Sequence, residues 1–194
     1  MDYYMHNSDM TIELTSNKVD IHYTQTESFR VTLVDTGLNT KTAGRLKRIR
    51  KYIGDEPFML TYGDGVADIN IDQLVNFHRE HGKVATMTAI QPEARFGGMD
   101  LDETNRVKTF KEKPKGDGKW INGGFFVLSP GIFDFLDEKA DETMWEDSPL
   151  ENISSKGQLM AYRHKGFWKC MDALRDKIEL ENLWNSGNAK WKTW

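Results

Sequence analysis

The sequence predicts an α/β protein with a Rossmann-like, three-layer arrangement: a mixed, mostly parallel sheet with helices on both faces. Three observations lead there. Strand-like apolar runs alternate with helix-period segments along most of the chain. Glycine or proline stops most of these segments, as expected at the ends of short elements. The chain has 194 residues, 38% of them hydrophobic and 29% charged, enough for a real core in one soluble domain spanning residues 1–194.

The elements follow in order. "MTIELT" and "KVDIHY" alternate like paired strands joined through Ser16-Asn17. "RVTLVDTG" (30–37) is a β-branched run and reads as a strand closed by Gly37. "GRLKRIRKYIG" places Leu46, Ile49 and Ile53 on one helical face, with Gly54 as its C-cap. "FMLTYGDG" (58–65) is a strand that breaks at Gly63. Asn70 caps the next helix, which turns Leu74 and Phe77 inward and stops at His81-Gly82. "KVATMTAI", "RVKTFKEKP" (stopped by Pro114) and "INGGFFVLSP" are strands. Ser129-Pro130 and Ser148-Pro149 each start a helix, the second stopped by Gly157. "QLMAYRH" is a strand, and a final helix runs from about Ala173 to Ser186.

Several function classes are disfavoured. No apolar stretch reaches a bilayer span, and the first residues carry no signal-peptide pattern. One cysteine, Cys170, allows no internal disulfide and fits the cytoplasm. A net charge of −4 argues against a nucleic-acid footprint. His78 and His81 share a helix face without a third metal ligand nearby.

Four stretches could carry chemistry. Asp64, between Gly63 and Gly65 at a strand end, is either a turn acid or a ligand for a divalent metal. In an open α/β sheet, ligands gather beyond the carboxyl ends of strands, which is where Asp64 falls. Asp172 stands just before the final helix, as an N-cap or as a second carboxylate for the same metal. "FKEKPKGDGKWINGG" (110–124) pairs Glu112 with Lys113, an acid for sugar hydroxyls beside a base for phosphate, or else forms a solvated charged hairpin. Asn122 and Gly123 then offer an amide and a small residue where a sugar ring could press. In "VTLVDTGLNTKTAGRLKR", Thr36, Gly37, Gly44 and Arg45 surround a helix start, a place that suits anions or polar base edges as well as plain capping.

Taken in order, "VTLVDTG", "TAGRLKRI", "TYGDGVADI", "FHREHGK", "FGGMDLD", "FKEKPKGDG", "INGGFFVL", "GFWKCMDALRDK" and "WKTW" resemble the sugar-nucleotide pyrophosphorylases, closest to their cytidylyl branch. The resemblance covers essentially the whole chain. It implies a cytoplasmic, homo-oligomeric enzyme, without membrane or nucleic-acid partners, that uses Mg2+, CTP and glucose 1-phosphate. The products would be CDP-glucose and pyrophosphate, for dideoxysugar and O-antigen (lipopolysaccharide) biosynthesis. It also implies roles. Asp64 and Asp172 would be the metal pair, and Lys113 the catalytic residue that steers the sugar phosphate as a point charge. Glu112, Lys113, Asn122 and Gly123 would bind the sugar phosphate. Thr36, Gly37, Gly44 and Arg45 would border the nucleotide.

The sequence departs from the family at two points. Lys169, Cys170 and Ala173 replace the usual glutamine, proline and threonine around Asp172. Nothing in it matches the family's opening strand and "GGxGTR" loop, which cradles the triphosphate. The expectation is therefore a chain corresponding to the C-terminal part of the family domain, with weak or no turnover of its own. Alternatives are a non-catalytic sugar-phosphate-binding or assembly fragment, and a metal-dependent glycosyltransferase. Asp64 and Asp68 lie too far apart for the usual metal motif of the latter.

Overall fold

The computed structural model describes residues 8–24, 30–92, 98–111 and 120–193. They fall into two compact units, divided between Asp35 and Thr36. In the first unit, β1 (Ser8–Glu13) and β2 (Lys18–Thr24) form an antiparallel hairpin, as the alternation predicts. Its turn places Asn17 at a φ of 54°, a left-handed conformation that asparagine tolerates better than most residues. The strand predicted over 30–37 is not found. Among the described residues no strand pairs with it, and Val31 and Leu33 are exposed. β-branched composition alone does not make a strand when the backbone has no ladder partner.

The second unit is built on a four-stranded sheet, with two shorter ribbons beside it. The helix predicted at 44–54 forms two pieces, α1 (Thr42–Arg48) and α2 (Arg50–Ile53), closed by Gly54 at a φ of 76°. β3 (Phe58–Leu60) is short, and β4 (Gly65–Ala67) follows after a break at 61–64. α3 (Ile71–His81) begins where Asn70 Oδ1 accepts from Gln73 N at 2.9 Å, and ends on Gly82 in the left-handed region. β5 (Ala85–Ile90), β6 (Gly98–Leu101), β7 (Val107–Lys111) and β8 (Ile121–Leu128) come next. The short helix predicted after Ser129 is a 3-10 helix, Pro130–Phe135, and a second one covers Ala140–Glu142. α4 (Ser148–Ser155), β9 (Leu159–Arg163), β10 (Trp168–Cys170) and α5 (Leu174–Asn185) complete the unit.

The main sheet has the order β3-β8-β5-β9. It is mixed, but the expectation of a mostly parallel sheet is corrected. β8 pairs antiparallel with both β3 and β5, and only the β5–β9 pairing is parallel. β3, β5 and β9 do run the same way. β8 is inserted in reverse between two of them, and in chain order it follows the β6–β7 ribbon.

The alternation of β8 explains the three layers. Phe126 and Leu128 point into one apolar cluster, with Leu46 of α1, Ile132, Phe133, Trp145 and Ile153 of α4. Val127 points the other way, onto Leu74 of α3 and Ile69. Helices thus cover both faces, and the central strand is buried on each.

Candidate functional site

Two segments of the second unit that are far apart in sequence meet in the β4–β10 ribbon. Trp168 pairs with Ala67, Lys169 with Val66 and Cys170 with Gly65. One step further, Met171 N donates to the Asp64 carbonyl at 2.8 Å. Asp64 and Asp172 therefore leave adjacent strands at the same end of one ribbon, and both side chains are exposed.

A loop below this end ties the ribbon down. Asp68 N donates to Phe167 O at 3.1 Å, and His164 Nε2 lies 3.0 Å from Asp68 Oδ1. Gly166 sits inside this clamp, since a Cβ there would stand 2.2 Å from Asp68 Oδ1.

Asp172 is not the N-cap of α5. The helix starts after Ala173, whose N–H donates to Asp176 Oδ2 at 3.0 Å. Asp172 Oδ2 instead accepts from the Cys170 thiol at 3.0 Å. Burial, and then that hydrogen bond, push the thiol above its ordinary range, so Cys170 is held as the neutral donor.

Asp64 and Asp172 line one open cavity of about 540 Å³ together with Thr61, Tyr62, Asn122 and Trp168. That volume suits a small polar ligand. A Cβ on Gly63 or Gly65 would meet nothing within 4 Å, so packing does not require either glycine. Both keep the cavity side of the backbone bare beside Asp64.

The opposite wall is β8. Gly123 is fixed by close approach, since a Cβ would come within 3.2 Å of Thr88 O, and its own carbonyl accepts from Trp168 Nε1 at 2.7 Å. Gly124 has a φ of 73°, and a Cβ there would touch the Tyr62 ring at 3.0 Å. Asn122 Oδ1 accepts from Gly124 N at 2.9 Å, and its Nδ2 donates to the Tyr62 hydroxyl at 3.1 Å. Tyr62 in turn donates to Glu146 Oε1. Burial, and then the Glu146 hydrogen bond, push the Tyr62 phenol far above its ordinary value and keep it protonated.

Residues 5–182 match the nucleotidyl transferase family. The chain belongs to that family. Within it, the transferase is 50% identical over all 194 residues to the glucose-1-phosphate cytidylyltransferase of Salmonella typhi, covering 74% of that protein. It is 42% identical, again over its whole length, to the probable glucose-1-phosphate cytidylyltransferase of Bacillus subtilis (strain 168), covering 75% of it. These identities put the transferase in the glucose-1-phosphate cytidylyltransferase group.

Solved structures share its fold. A UDP-glucose pyrophosphorylase complexed with UDP-glucose superposes with a TM-score of 0.57 at 18% identity, over 79% of this chain and 65% of that one. HddC from Yersinia pseudotuberculosis does so with a TM-score of 0.53 at 21% identity, over 73% and 61%.

The fold of this transferase thus brings Asp64, Asp172, Asn122 and Gly123 to one cavity. Glu112 and Lys113 lie outside the described residues. Thr36, Gly37, Gly44 and Arg45 do not line the cavity and form a cluster of their own. Arg45 donates to Thr36 Oγ1 at 2.7 Å and to Leu38 O at 3.3 Å. Gly44 is buried where α1 crosses the 140–142 turn, its would-be Cβ 2.6 Å from Asp141 Cα. Gly37 takes a φ of 86° at the turn before α1.

Tyr62, Trp168 and Glu146 are site or supporting residues that sequence reasoning missed. An aromatic with a polar tip directly before Gly-Asp-Gly was a signal for Tyr62. No local signal marks Glu146, which reaches Tyr62 from a distant turn.

Proposed function

We propose that this transferase joins CTP to α-D-glucose 1-phosphate, giving CDP-glucose and pyrophosphate, with residues 1–194 serving one nucleotidyltransferase domain. The observation that carries this reading is the shared cavity of Asp64, Asp172, Asn122 and Gly123 at the end of the β4–β10 ribbon. The relatedness to glucose-1-phosphate cytidylyltransferases supports the choice of substrates.

The donor set fits a magnesium ion. Asp64 and Asp172 are hard, exposed carboxylates on adjacent backbone, and Asp172 is not consumed by a helix cap. Among the described residues no group of three or more His, Cys, Asp or Glu could hold a metal. Such an ion would rely on water and substrate phosphates for its other ligands, as magnesium commonly does. Bound there, it would supply charge neutralisation to the phosphates of the two substrates.

The chain's own residues do the rest. Asn122 and Gly123 hold the sugar side, with Trp168 fixing the Gly123 carbonyl. Glu112 and Lys113 engage the sugar and its phosphate, Lys113 as a point charge. Thr36, Gly37, Gly44 and Arg45 border the nucleotide by shaping the turn into α1. The attacking phosphate oxygen is already ionised at neutral pH, so no side chain has to remove a proton, and alignment of two polyanions is the main task. A cytoplasmic, homo-oligomeric enzyme of O-antigen sugar synthesis completes the proposal.

A sugar-phosphate-binding role without turnover is the second reading, since Asn122 and Gly123 line the cavity whatever the turnover. Calorimetric titration of glucose 1-phosphate in the presence of Mg2+ tests both. One saturable site, from which CDP-glucose displaces the sugar phosphate, is the expected result. No heat with glucose 1-phosphate would overturn both readings, and robust CDP-glucose synthesis would overturn the second.

A further inference from the structure

The hydrogen bonds around Asn122 have a fixed direction. The Gly124 N–H can only donate, so the Asn122 oxygen faces it and the Asn122 nitrogen faces Tyr62. The nitrogen can only donate, so the Tyr62 oxygen accepts and its proton points elsewhere. That proton goes to Glu146 Oε1. The second Glu146 oxygen is 3.5 Å from Thr42 Oγ1, which accepts from Trp145 N at 2.7 Å and has both that carboxylate and Met144 Sδ, at 3.9 Å, as acceptors for its proton. Each link has one consistent assignment, running from Gly124 through Asn122 and Tyr62 to Glu146.

One group is left over. Asn122 has a second amide N–H, and Asn122 lines the cavity. Its oxygen is turned to the Gly124 N–H, so the group that these hydrogen bonds leave uncommitted is an N–H donor.

We propose that Glu146 is a positioning residue: through the Tyr62 hydroxyl it locks the orientation of the Asn122 amide so that its free N–H is the group presented to bound ligand. This rests on the sugar-phosphate reading above and deepens it. The wall then selects ligands that present an oxygen lone pair at that point, such as a sugar hydroxyl or phosphate oxygen. It disfavours analogues in which that oxygen is replaced by hydrogen. Without Glu146, the Tyr62 proton loses its acceptor and the amide loses its anchor.

The test uses the 194-residue chain and four variants: Glu146→Ala, Glu146→Gln, Tyr62→Phe and the double variant Glu146→Ala/Tyr62→Phe. Glucose 1-phosphate affinity is read by calorimetry with Mg2+, and the Asn122 side-chain amide by 15N-resolved NMR without ligand. Glu146→Ala and Tyr62→Phe should each weaken binding by roughly three- to tenfold. Glu146→Gln keeps an acceptor for Tyr62 and should restore affinity to within about twofold of the parent. The double variant should be no weaker than the weaker single variant, since both act through one chain. The two Asn122 amide proton signals should shift in Glu146→Ala and Tyr62→Phe but not in Glu146→Gln. Losses that multiply in the double variant, failure of the glutamine to rescue, or unmoved amide signals would each overturn the proposal. If the parent chain binds no glucose 1-phosphate, the substrate reading fails, and the amide signals still decide whether Glu146 sets the amide.

Discussion

Met171 N donates to the carbonyl of Asp64 at 2.8 Å, one step past the Gly65–Cys170 pair that ends the β4–β10 ribbon. With that ribbon, the contact brings two acids that are far apart in sequence to the rim of one cavity. The ribbon has only three residue pairs, so its register needs outside support. The clamp of Asp68, His164 and Phe167 supplies it.

That clamp makes Gly166 a sensitive position. A methyl group there would stand 2.2 Å from Asp68 Oδ1 and 2.8 Å from His164 Cε1. Gly166→Ala must push the two side chains apart and loosen the ribbon. Overpacking of this kind costs about 1–3 kcal/mol. Thermal denaturation should show a lowered midpoint, and Mg2+-dependent ligand binding should weaken alongside it. Gly63→Ala serves as the comparison for stability, since its Cβ meets nothing.

Gly124→Ala should damage the opposite wall. The position has a φ of 73°, where any other residue is strained, and its Cβ would touch the Tyr62 ring at 3.0 Å. The strain is about 1–3 kcal/mol. Chemical denaturation should show the loss, and glucose 1-phosphate affinity should fall because Tyr62 and Asn122 shift together.

A buried histidine pair makes stability depend on pH. His78 is almost fully buried, with Nδ1 2.8 Å from Thr86 Oγ1 and Nε2 2.9 Å from Ser129 Oγ. His81 Nε2 reaches the same Thr86 hydroxyl at 2.7 Å, while its Nδ1 accepts from Lys83 N at 2.9 Å. Burial first, and then the neighbouring His81, hold the His78 imidazole below its ordinary value. Burial, with Lys83 adding to it, does the same for His81. The unfolded chain therefore binds protons that the folded chain refuses. The contribution to stability is present above the ordinary histidine value and is lost as pH falls from about 7 towards the folded values. The slope is at most about 1.4 kcal/mol per pH unit for each imidazole. Unfolding free energies between pH 7.5 and 5 should decline along this slope, and His78→Gln should flatten it.

Much of the fold was legible in the sequence, because periodicity and end signals are local. Leu74 and Phe77, capped by Asn70 and stopped by Gly82, marked α3 without ambiguity. The run at 121–130 marked β8. The reversed direction of β8 was not legible, since a buried strand reads the same whichever way its neighbours run. Nor was the loss of the 30–37 strand, where β-branched residues lack a partner. β4 and β10 are too short for a periodic signal, yet they position the site. Asp64 and Asp172 were legible as residue types in suggestive places. Their convergence depends on that ribbon, and the Glu146 support depends on a contact between distant segments.

The most direct test of the two-acid site is Mn2+ binding, followed by water-proton relaxation with CTP present, on the parent chain, Asp64→Asn and Asp172→Asn. If both carboxylates hold one ion, each variant should weaken Mn2+ binding by a similar factor, roughly 100-fold or about 3 kcal/mol. The double variant should then add little, because either loss already breaks the site. Parent-like Mn2+ affinity in either single variant would show that Asp64 and Asp172 do not share a metal.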